Sequence, residues 1–238
     1  MSSGDHRHEH GHGHGVGDRR RLSALLPFVR EQIPRRPARV VEIGCGPLGG
    51  FVPDLTADGH AVVGVDPGAP SEPAYRHMPF EEYEEIEPVD AVVACTSLHH
   101  VGDLDRVLDK VADMVVPGGV VVVFEWAHER FDEPTARWCF DRLPVADGEE
   151  GWLPAQRDAW LESGLDWDAY FGARVREEGF HPAGAIVEAL DLRFSRRLHL
   201  PTAYYFADLA IAQAEEDAAI EAGLIRPNGV RYVGQLAT

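Results

Sequence analysis

The 238-residue sequence is poor in the features that mark secreted, membrane-spanning and nucleic-acid-binding proteins. Its three cysteines, Cys45, Cys95 and Cys139, have the spacing of neither a metal site nor a disulfide framework, so we expect a cytoplasmic protein. No apolar run approaches the roughly 20 residues that span a bilayer, and the His- and Gly-rich start predicts no secretory signal. Basic residues are also scarce. The net charge of −18 disfavours nucleic acid and anionic membranes as partners.

Residues 1–17 form a low-complexity segment with almost no apolar side chains. Such a segment cannot bury enough surface to offset the entropy of ordering, so it is predicted to be a disordered His-rich tail. Its alternating histidines have a spacing that permits adventitious binding of a divalent metal. Because structural metal sites are usually built on a folded scaffold, we expect no metal site in the protein.

From residue 18 onward, strands and helices alternate, which predicts an α/β fold. The strands are near-continuous apolar runs, typical of a mostly parallel, doubly wound sheet covered by helices on both faces. The predicted strands are Ala38–Ile43, Ala61–Val65, a weaker one near Tyr75–Phe80, Val89–Cys95 and Val120–Trp126, and the predicted helices are Arg21–Gln32 and Leu104–Met114.

The pattern changes after Trp126, where proline and glycine break up the helical segments. We predict a Rossmann-like core over residues 18–130, a helical cap insertion over 131–165 and the remainder of the core over 166–238. The elements predicted in the second half are helices at Pro134–Leu143, Pro154–Ser163 and Asp166–Glu178, a strand near Ala185–Leu190, a long helix at Tyr204–Ala222 and a final strand at Gly229–Gly234.

All five tryptophans fall between residues 126 and 167. They have two interpretations: the core of the cap, or the wall of a pocket for an aromatic acceptor. We favour the core, with one or two residues such as Trp138 or Trp152 facing the pocket.

The most informative segment is the glycine-rich turn after the first strand. Gly44, Gly46 and Gly49 satisfy G-x-G-x-x-G, a pattern that also fits dinucleotide-binding enzymes. Glu42 favours a site for S-adenosylmethionine over a dinucleotide site. A carboxylate beside the turn repels a pyrophosphate but suits the ammonium and sulfonium of S-adenosylmethionine. Asp66, at the end of the second strand, can accept both hydroxyls of a ribose. Both acids could instead be capping groups without a ligand.

Four motifs resemble those of class I S-adenosylmethionine-dependent methyltransferases, and they follow one another in that family's order and spacing. They are Glu42–Gly46 (EIGCG), Asp66, the segment Asp90–Val101, and Pro117-Gly118-Gly119 before the strand at Val120. The resemblance covers about half of the chain and implies a Rossmann-like methyltransferase fold with S-adenosyl-L-methionine as cofactor. It implies that the cofactor-binding residues are Glu42, Gly44, Cys45, Gly46, Asp66, Phe80, Glu81, Ser97, Leu98 and His99, with Asp66 at the ribose and Phe80 or Glu81 near the adenine.

His99, Glu125 and His128 are the candidate catalytic residues, because each stands at or just past the carboxyl end of a predicted strand. The sulfonium is already activated, so catalysis is mainly alignment of methyl and nucleophile. A hydroxyl acceptor also needs a base to remove its proton. His99 is the first choice for that base; alternatively it is a packing histidine, and Glu125 a partner of backbone groups.

The leading hypothesis is methyl transfer to a small-molecule acceptor, with O-, N- and C-methylation all open. Lids that exclude water suit small acceptors, and the predicted cap could be such a lid. The alternatives are a catalytically silent cofactor-binding protein and, less favoured, an NAD(P)-dependent oxidoreductase. The oligomeric state stays open, and a homodimer is compatible with the sequence.

Overall fold

The computed structural model describes residues 16–34, 37–84, 87–144 and 151–237. Within them lie seven strands, β1 (Arg39–Ile43), β2 (Ala61–Val65), β3 (Tyr75–Arg76), β4 (Val89–Cys95), β5 (Val115–Trp126), β6 (Ser195–Thr202) and β7 (Gly229–Gln235). The helices are α1 (Val16–Gln32), α2 (Val52–Ala57), α3 (Leu104–Met114), α4 (Glu133–Phe140), α5 (Trp152–Ser163), α6 (Trp167–Glu178), α7 (Ala183–Asp191) and α8 (Gln213–Glu221).

The seven strands form one sheet in the order β3-β2-β1-β4-β5-β7-β6. Strand β7 pairs antiparallel with both of its neighbours, and the other pairings are parallel. The order reverses at β1 and β4, and open α/β sheets bind ligands outside the carboxyl ends of strands at such a switch point. The predicted doubly wound, mostly parallel sheet is confirmed.

Successive side chains of the central strands enter two different cores, one on each face of the sheet. In β4, Val92 and Ala94 pack in the core beneath α3 and α7, whereas Ala91 and Val93 pack in the core beneath α1 and α2. Alternation of this kind follows from the two-residue period of a strand. Helices therefore cover both faces of the sheet, and the carboxyl ends of its parallel strands lie along one edge.

A third cluster, which we call the aromatic cluster, lies past the carboxyl end of β5. Its large buried members include Trp126, Phe131, Trp160, Trp167 and Phe171, contributed by β5, α5, α6 and the segment after β5. The tryptophans are thus mainly core, as favoured above. Trp152 is only partly buried and packs 5.1 Å from the Trp126 ring, whereas Trp138 lies under the Arg142 guanidinium at 4.2 Å.

The C-terminal third differs from the predictions in three elements. The strand expected near Ala185–Leu190 is helix α7, whose buried residues Ala183, Ile186, Val187 and Leu190 follow the helical spacing i, i+3, i+4, i+7. Strand β6 was missed because it is an edge strand with mostly exposed, Arg-rich residues and no apolar alternation.

The long helix expected at Tyr204–Ala222 is also wrong in its first half, because helix α8 begins only at Gln213. The carboxylate of Glu216 accepts hydrogen bonds from the backbone N–H groups of Tyr204, Tyr205 and Phe206, which folds that segment into a turn. Ala210 then has a φ of +57°, a left-handed conformation that a helix cannot contain.

The tail predicted to be disordered lies outside the described residues up to position 15, and residues 16 and 17 belong to α1. No helix in the described part of the chain is long and apolar enough to cross a membrane.

Candidate active site

The glycine-rich turn after β1 has a backbone that only glycine adopts without strain. Gly44 and Gly46 have φ values of +76° and +60°. A Cβ on Gly44 would lie 2.2 Å from the Cβ of Ser97, so the turn packs directly on the loop after β4. A Cβ on Gly46 would meet no atom within 4 Å, so the space beside Gly46 is open. The side chain of Cys45 between them is buried, and a Cβ on Gly64 would lie 2.9 Å from its Sγ.

Glu42 is almost completely buried beside this turn, with 1% of its surface exposed. Its Oε2 accepts a hydrogen bond from the Phe51 N–H at 2.8 Å, so the N-terminus of the short helix α2 is already capped by protein. Within the described residues, its Oε1 has no hydrogen-bond partner. Burial raises the pKa of Glu42 to about 8, against the opposing effect of the backbone N–H groups. A cation placed at Oε1 would stabilise the ionised form.

Asp66 ends β2 and caps the next turn through Oδ1, which accepts from the Gly68 N–H at 2.6 Å. The residue is half-buried, and no other donor among the described residues contacts its carboxylate. Phe80 lies on a 3-10 turn with Glu81 rather than at the end of the predicted strand, since β3 has only two residues. The Phe80 ring packs in the core, and Lys110 Nζ binds the carbonyls of Phe80 and Glu81 at 3.1 and 2.9 Å.

The loop after β4 is held tightly against the glycine-rich turn. Thr96 has a φ of +52°, a strained conformation for a β-branched residue. The Ser97 hydroxyl donates to the Ile43 carbonyl at 2.9 Å, which joins this loop to the end of β1. The backbone N–H groups of Ser97 and Leu98 donate to Glu125 Oε1 at 2.9 and 2.6 Å. Strain at such a site persists only where the surrounding bonds impose it.

Glu125 and His99 form a buried hydrogen-bonded pair, with 1% and 2% of their surfaces exposed. Glu125 Oε2 lies 2.7 Å from His99 Nδ1 and also accepts from the Trp126 N–H at 3.0 Å. An ionised carboxylate only accepts, so Nδ1 of His99 must carry the proton. In the neutral imidazole the lone pair is then on Nε2, the form that a general base requires.

His128 and His99 both contact the Trp126 ring, with centroid distances of 5.5 and 5.8 Å respectively. It is 5% exposed, and its Nε2 has no hydrogen-bond partner within the described part of the chain. Burial, joined by repulsion from His99, lowers the pKa of His128, against attraction from Glu129 and a hydrogen bond with the His181 backbone. Both imidazoles therefore lie against the indole ring of Trp126.

The structure groups the candidate residues in two neighbouring places rather than one. The first group lies at the turn after β1 and consists of Glu42, Gly44 and Gly46. The second group lies past the ends of β4 and β5 and consists of His99, Glu125 and His128. Ser97 connects the two groups. Phe80 and Glu81 stand apart, in contact with Lys110.

Two further residues, Phe180 and His181, contact His99 but were not predicted from the sequence. The His181 N–H donates to the His99 carbonyl at 3.0 Å. The Phe180 ring lies 5.4 Å from that of His99. The only local signal was the helix stop at Gly179, which says nothing about long-range contacts.

Solved structures of similar shape define the class of fold. A structure described as an S-adenosylmethionine-dependent methyltransferase from Mesorhizobium loti superposes with a TM-score of 0.55, covering 90% of this chain and 99% of that one at 19% identity. The fold is therefore that of the Rossmann-like methyltransferases.

A family model described as a methyltransferase domain matches residues 16–172, and the chain belongs to that family. Among curated relatives, a ubiquinone biosynthesis O-methyltransferase of Rhodopseudomonas palustris (strain HaA2) is 27% identical over 164 residues, 63% of this chain and 58% of the relative. Its namesake in Bradyrhizobium sp. (strain ORS 278) is 35% identical over 137 residues, 51% of each chain. The chain thus spans between half and three-fifths of the length of these two relatives.

Proposed function

We propose that this chain transfers the methyl group of S-adenosylmethionine to a hydroxyl of a small-molecule acceptor, with His99 as the general base. The observation that carries the proposal is the buried Glu125–His99 pair beside the loop that packs on the glycine-rich turn. With Nδ1 bound to Glu125, the neutral ring of His99 keeps its lone pair on Nε2, on the loop that packs against the turn where we expect the methyl donor to bind.

The residues around the turn fit this cofactor. Bound S-adenosylmethionine supplies a methyl group already activated by a sulfonium. The unpartnered Oε1 of Glu42 suits its ammonium, and the open space at Gly46 allows close approach of the backbone. Asp66 would hold the ribose hydroxyls. Cys45 would contribute through its backbone, because its side chain packs against β2. An ammonium favours ionisation of the buried Glu42 carboxyl, whereas a pyrophosphate opposes it, which disfavours a dinucleotide.

Several residues act by holding others in place. Glu125 fixes the His99 ring through Nδ1 and, with its other oxygen, fixes the N–H groups of Ser97 and Leu98. It has hydrogen bonds on both oxygens and almost no exposure, so we assign it the role of a positioning residue rather than a base. His128, whose lowered pKa favours the neutral form, is the alternative proton acceptor beside the same Trp126 indole.

The acceptor is inferred to be a small molecule with an ionisable hydroxyl. An imidazole base adds most to a reaction whose nucleophile must lose a proton. The two curated relatives are named as O-methyltransferases, which supports oxygen as the methylated atom. We propose the described parts of residues 131–165, which are 131–144 and 151–165, as a cap above the site, joined in the aromatic cluster by α6. A cytoplasmic location is part of the proposal, since Cys45, Cys95 and Cys139 are free thiols.

Two measurements test the proposal. Calorimetry should show binding of S-adenosylhomocysteine and no binding of NADH; the reverse result would replace the proposed cofactor by a dinucleotide. Methyl-labelled cofactor is then incubated with a panel of phenols, alcohols and amines. Transfer to hydroxyls with a large loss in His99→Gln supports the proposal, whereas binding of the cofactor without turnover would favour a catalytically silent protein.

A further inference from the structure

The loop between α6 and α7 brings one ring over both imidazoles of the site. The Phe180 ring packs against His99 and His100 nearly perpendicularly, with centroid distances of 5.4 and 4.8 Å. It also contacts Trp126 at 6.0 Å and His128 at 6.1 Å. Phe180 is half-buried, whereas His99 and His128 are almost completely buried. The ring therefore stands between solvent and the imidazole pair.

The backbone around Phe180 is fixed by bonds to the same loop that carries His99. The His181 N–H donates to the His99 carbonyl at 3.0 Å, and the His181 ring pairs with the Val101 carbonyl at 2.8 Å. Gly179 ends α6 with a φ of +69°, which turns the chain toward the site at a position where other residues are strained. The placement of Phe180 is thus built into the fold.

We propose that Phe180 is a positioning residue for methyl transfer, whose ring shields the imidazoles of His99 and His128 from water. The inference rests on the proposed function, because it assumes that one of these imidazoles accepts the proton. A dry imidazole stays neutral more easily than a hydrated one, since burial disfavours the charged form. An aromatic ring supplies this shield without offering a hydrogen bond that would compete for Nε2.

The charges around His128 come from several elements, and they do not change when the Phe180 ring is removed. The groups that face it are Glu129 beside it in sequence, Glu125 on β5, His99 after β4 and the backbone of His181. His100 is exposed and lies against His99, with ring centroids 4.1 Å apart. A change in the titration of His128 in a Phe180 variant would therefore report hydration rather than a lost ion pair.

The test compares Phe180→Ala with Phe180→Leu, which retains an apolar cover. Phe140→Ala is the matched control, because Phe140 is also half-buried in the aromatic cluster but packs 6.0 Å from Trp160 and 5.8 Å from Trp167. Each folded variant is treated with diethyl pyrocarbonate, and modification is mapped to single histidines by peptide mass spectrometry, with the exposed His199 as internal reference. NMR titration of the His128 ring gives its pKa.

In Phe180→Ala we expect modification of His99 and His128 to accelerate about tenfold, because the covering ring is gone. The titration midpoint of His128 should rise toward its ordinary value, because hydration favours the charged imidazole. Phe180→Leu should restore most of the protection, and Phe140→Ala should leave both readouts unchanged. Equal rates in Phe180→Ala and the wild type, or equal acceleration in Phe140→Ala, would overturn the proposal.

Calorimetry on the same proteins separates this proposal from the proposed function. Phe180→Ala should bind S-adenosylhomocysteine as the wild type does, because the ring of Phe180 packs on imidazoles and on Trp126, past the ends of β4 and β5. A wild type that fails to bind would refute the proposed cofactor while leaving the shielding result intact.

Discussion

Replacing Glu125 by glutamine is the sharpest perturbation of the candidate site, because it keeps the shape of the side chain and changes only its hydrogen bonding. The carboxylate accepts four hydrogen bonds, from the backbone N–H groups of Ser97, Leu98 and Trp126 and from His99 Nδ1. An amide has a single accepting oxygen. If that oxygen stays with Ser97 and Leu98, the new NH₂ group faces the Trp126 N–H and the His99 ring.

The expected losses of stability and of turnover follow from these four hydrogen bonds. The buried Trp126 N–H loses its acceptor, which costs about 1–3 kcal/mol, and the lost charge on the remaining bonds brings the total to about 2–4 kcal/mol of unfolding free energy. The NH₂ group can be satisfied only if His99 accepts at Nδ1, so its proton moves to Nε2. The base is then in the wrong tautomer, and kcat should fall about 10²–10⁴-fold, the range typical of a lost general base.

The assay does not depend on knowing the acceptor. Long-range ¹⁵N–¹H spectra of the His99 ring should show the proton on Nδ1 in the wild type and on Nε2 in Glu125→Gln. Glu216→Gln is the control: Glu216 is a buried carboxylate that accepts from three backbone N–H groups and has no hydrogen bond to an imidazole of the described residues. It should lose stability but retain the wild-type tautomer. An Nδ1 proton retained in Glu125→Gln, or wild-type turnover of that variant once an acceptor is known, would refute the role assigned to Glu125.

Further predictions concern the cofactor side of the site. Because the pKa of Glu42 is raised to about 8, it is mostly protonated at pH 7, and a bound cation should displace about one proton. Calorimetry in two buffers of different ionisation enthalpy should detect this proton for the wild type and not for Glu42→Gln. Gly46→Ala should lower unfolding free energy by only about 1 kcal/mol yet weaken S-adenosylhomocysteine binding about tenfold, since its methyl enters open space. Gly44→Ala should instead lower the denaturation midpoint sharply, because its Cβ meets Ser97; equal destabilisation of the two variants would refute the assignment.

The sequence predicted the N-terminal half of the fold well because its strands are buried on both faces and its helices have one apolar stripe. Strand β2 and helix α3 have the predicted bounds, and α3 buries Leu104, Val107, Leu108 and Val111 as expected. The C-terminal third was harder, because the conformation of residues 204–206 depends on Glu216, ten or more residues away. Edge strand β6 is mostly exposed, so its partly buried Leu198 and buried Thr202 give too weak a pattern to predict a strand.

The site shows the same division between local and long-range signals. The special backbone of Gly44 and Gly46 and the buried carboxylate of Glu42 follow from a contiguous motif. The pairing of His99 with Glu125 joins residues 26 positions apart, and the cover by Phe180 joins residues 81 positions apart in the numbering. Only the packing of β4 beside β5 and of the α6–α7 loop above them brings these residues together.

A crystal structure with S-adenosylhomocysteine tests the central claim most directly. It should show the homocysteine ammonium at Glu42 Oε1, the ribose hydroxyls on Asp66, and the sulfur facing the side on which His99 Nε2 stands. A ligand bound elsewhere, or a sulfur turned away from both His99 and His128, would contradict the account.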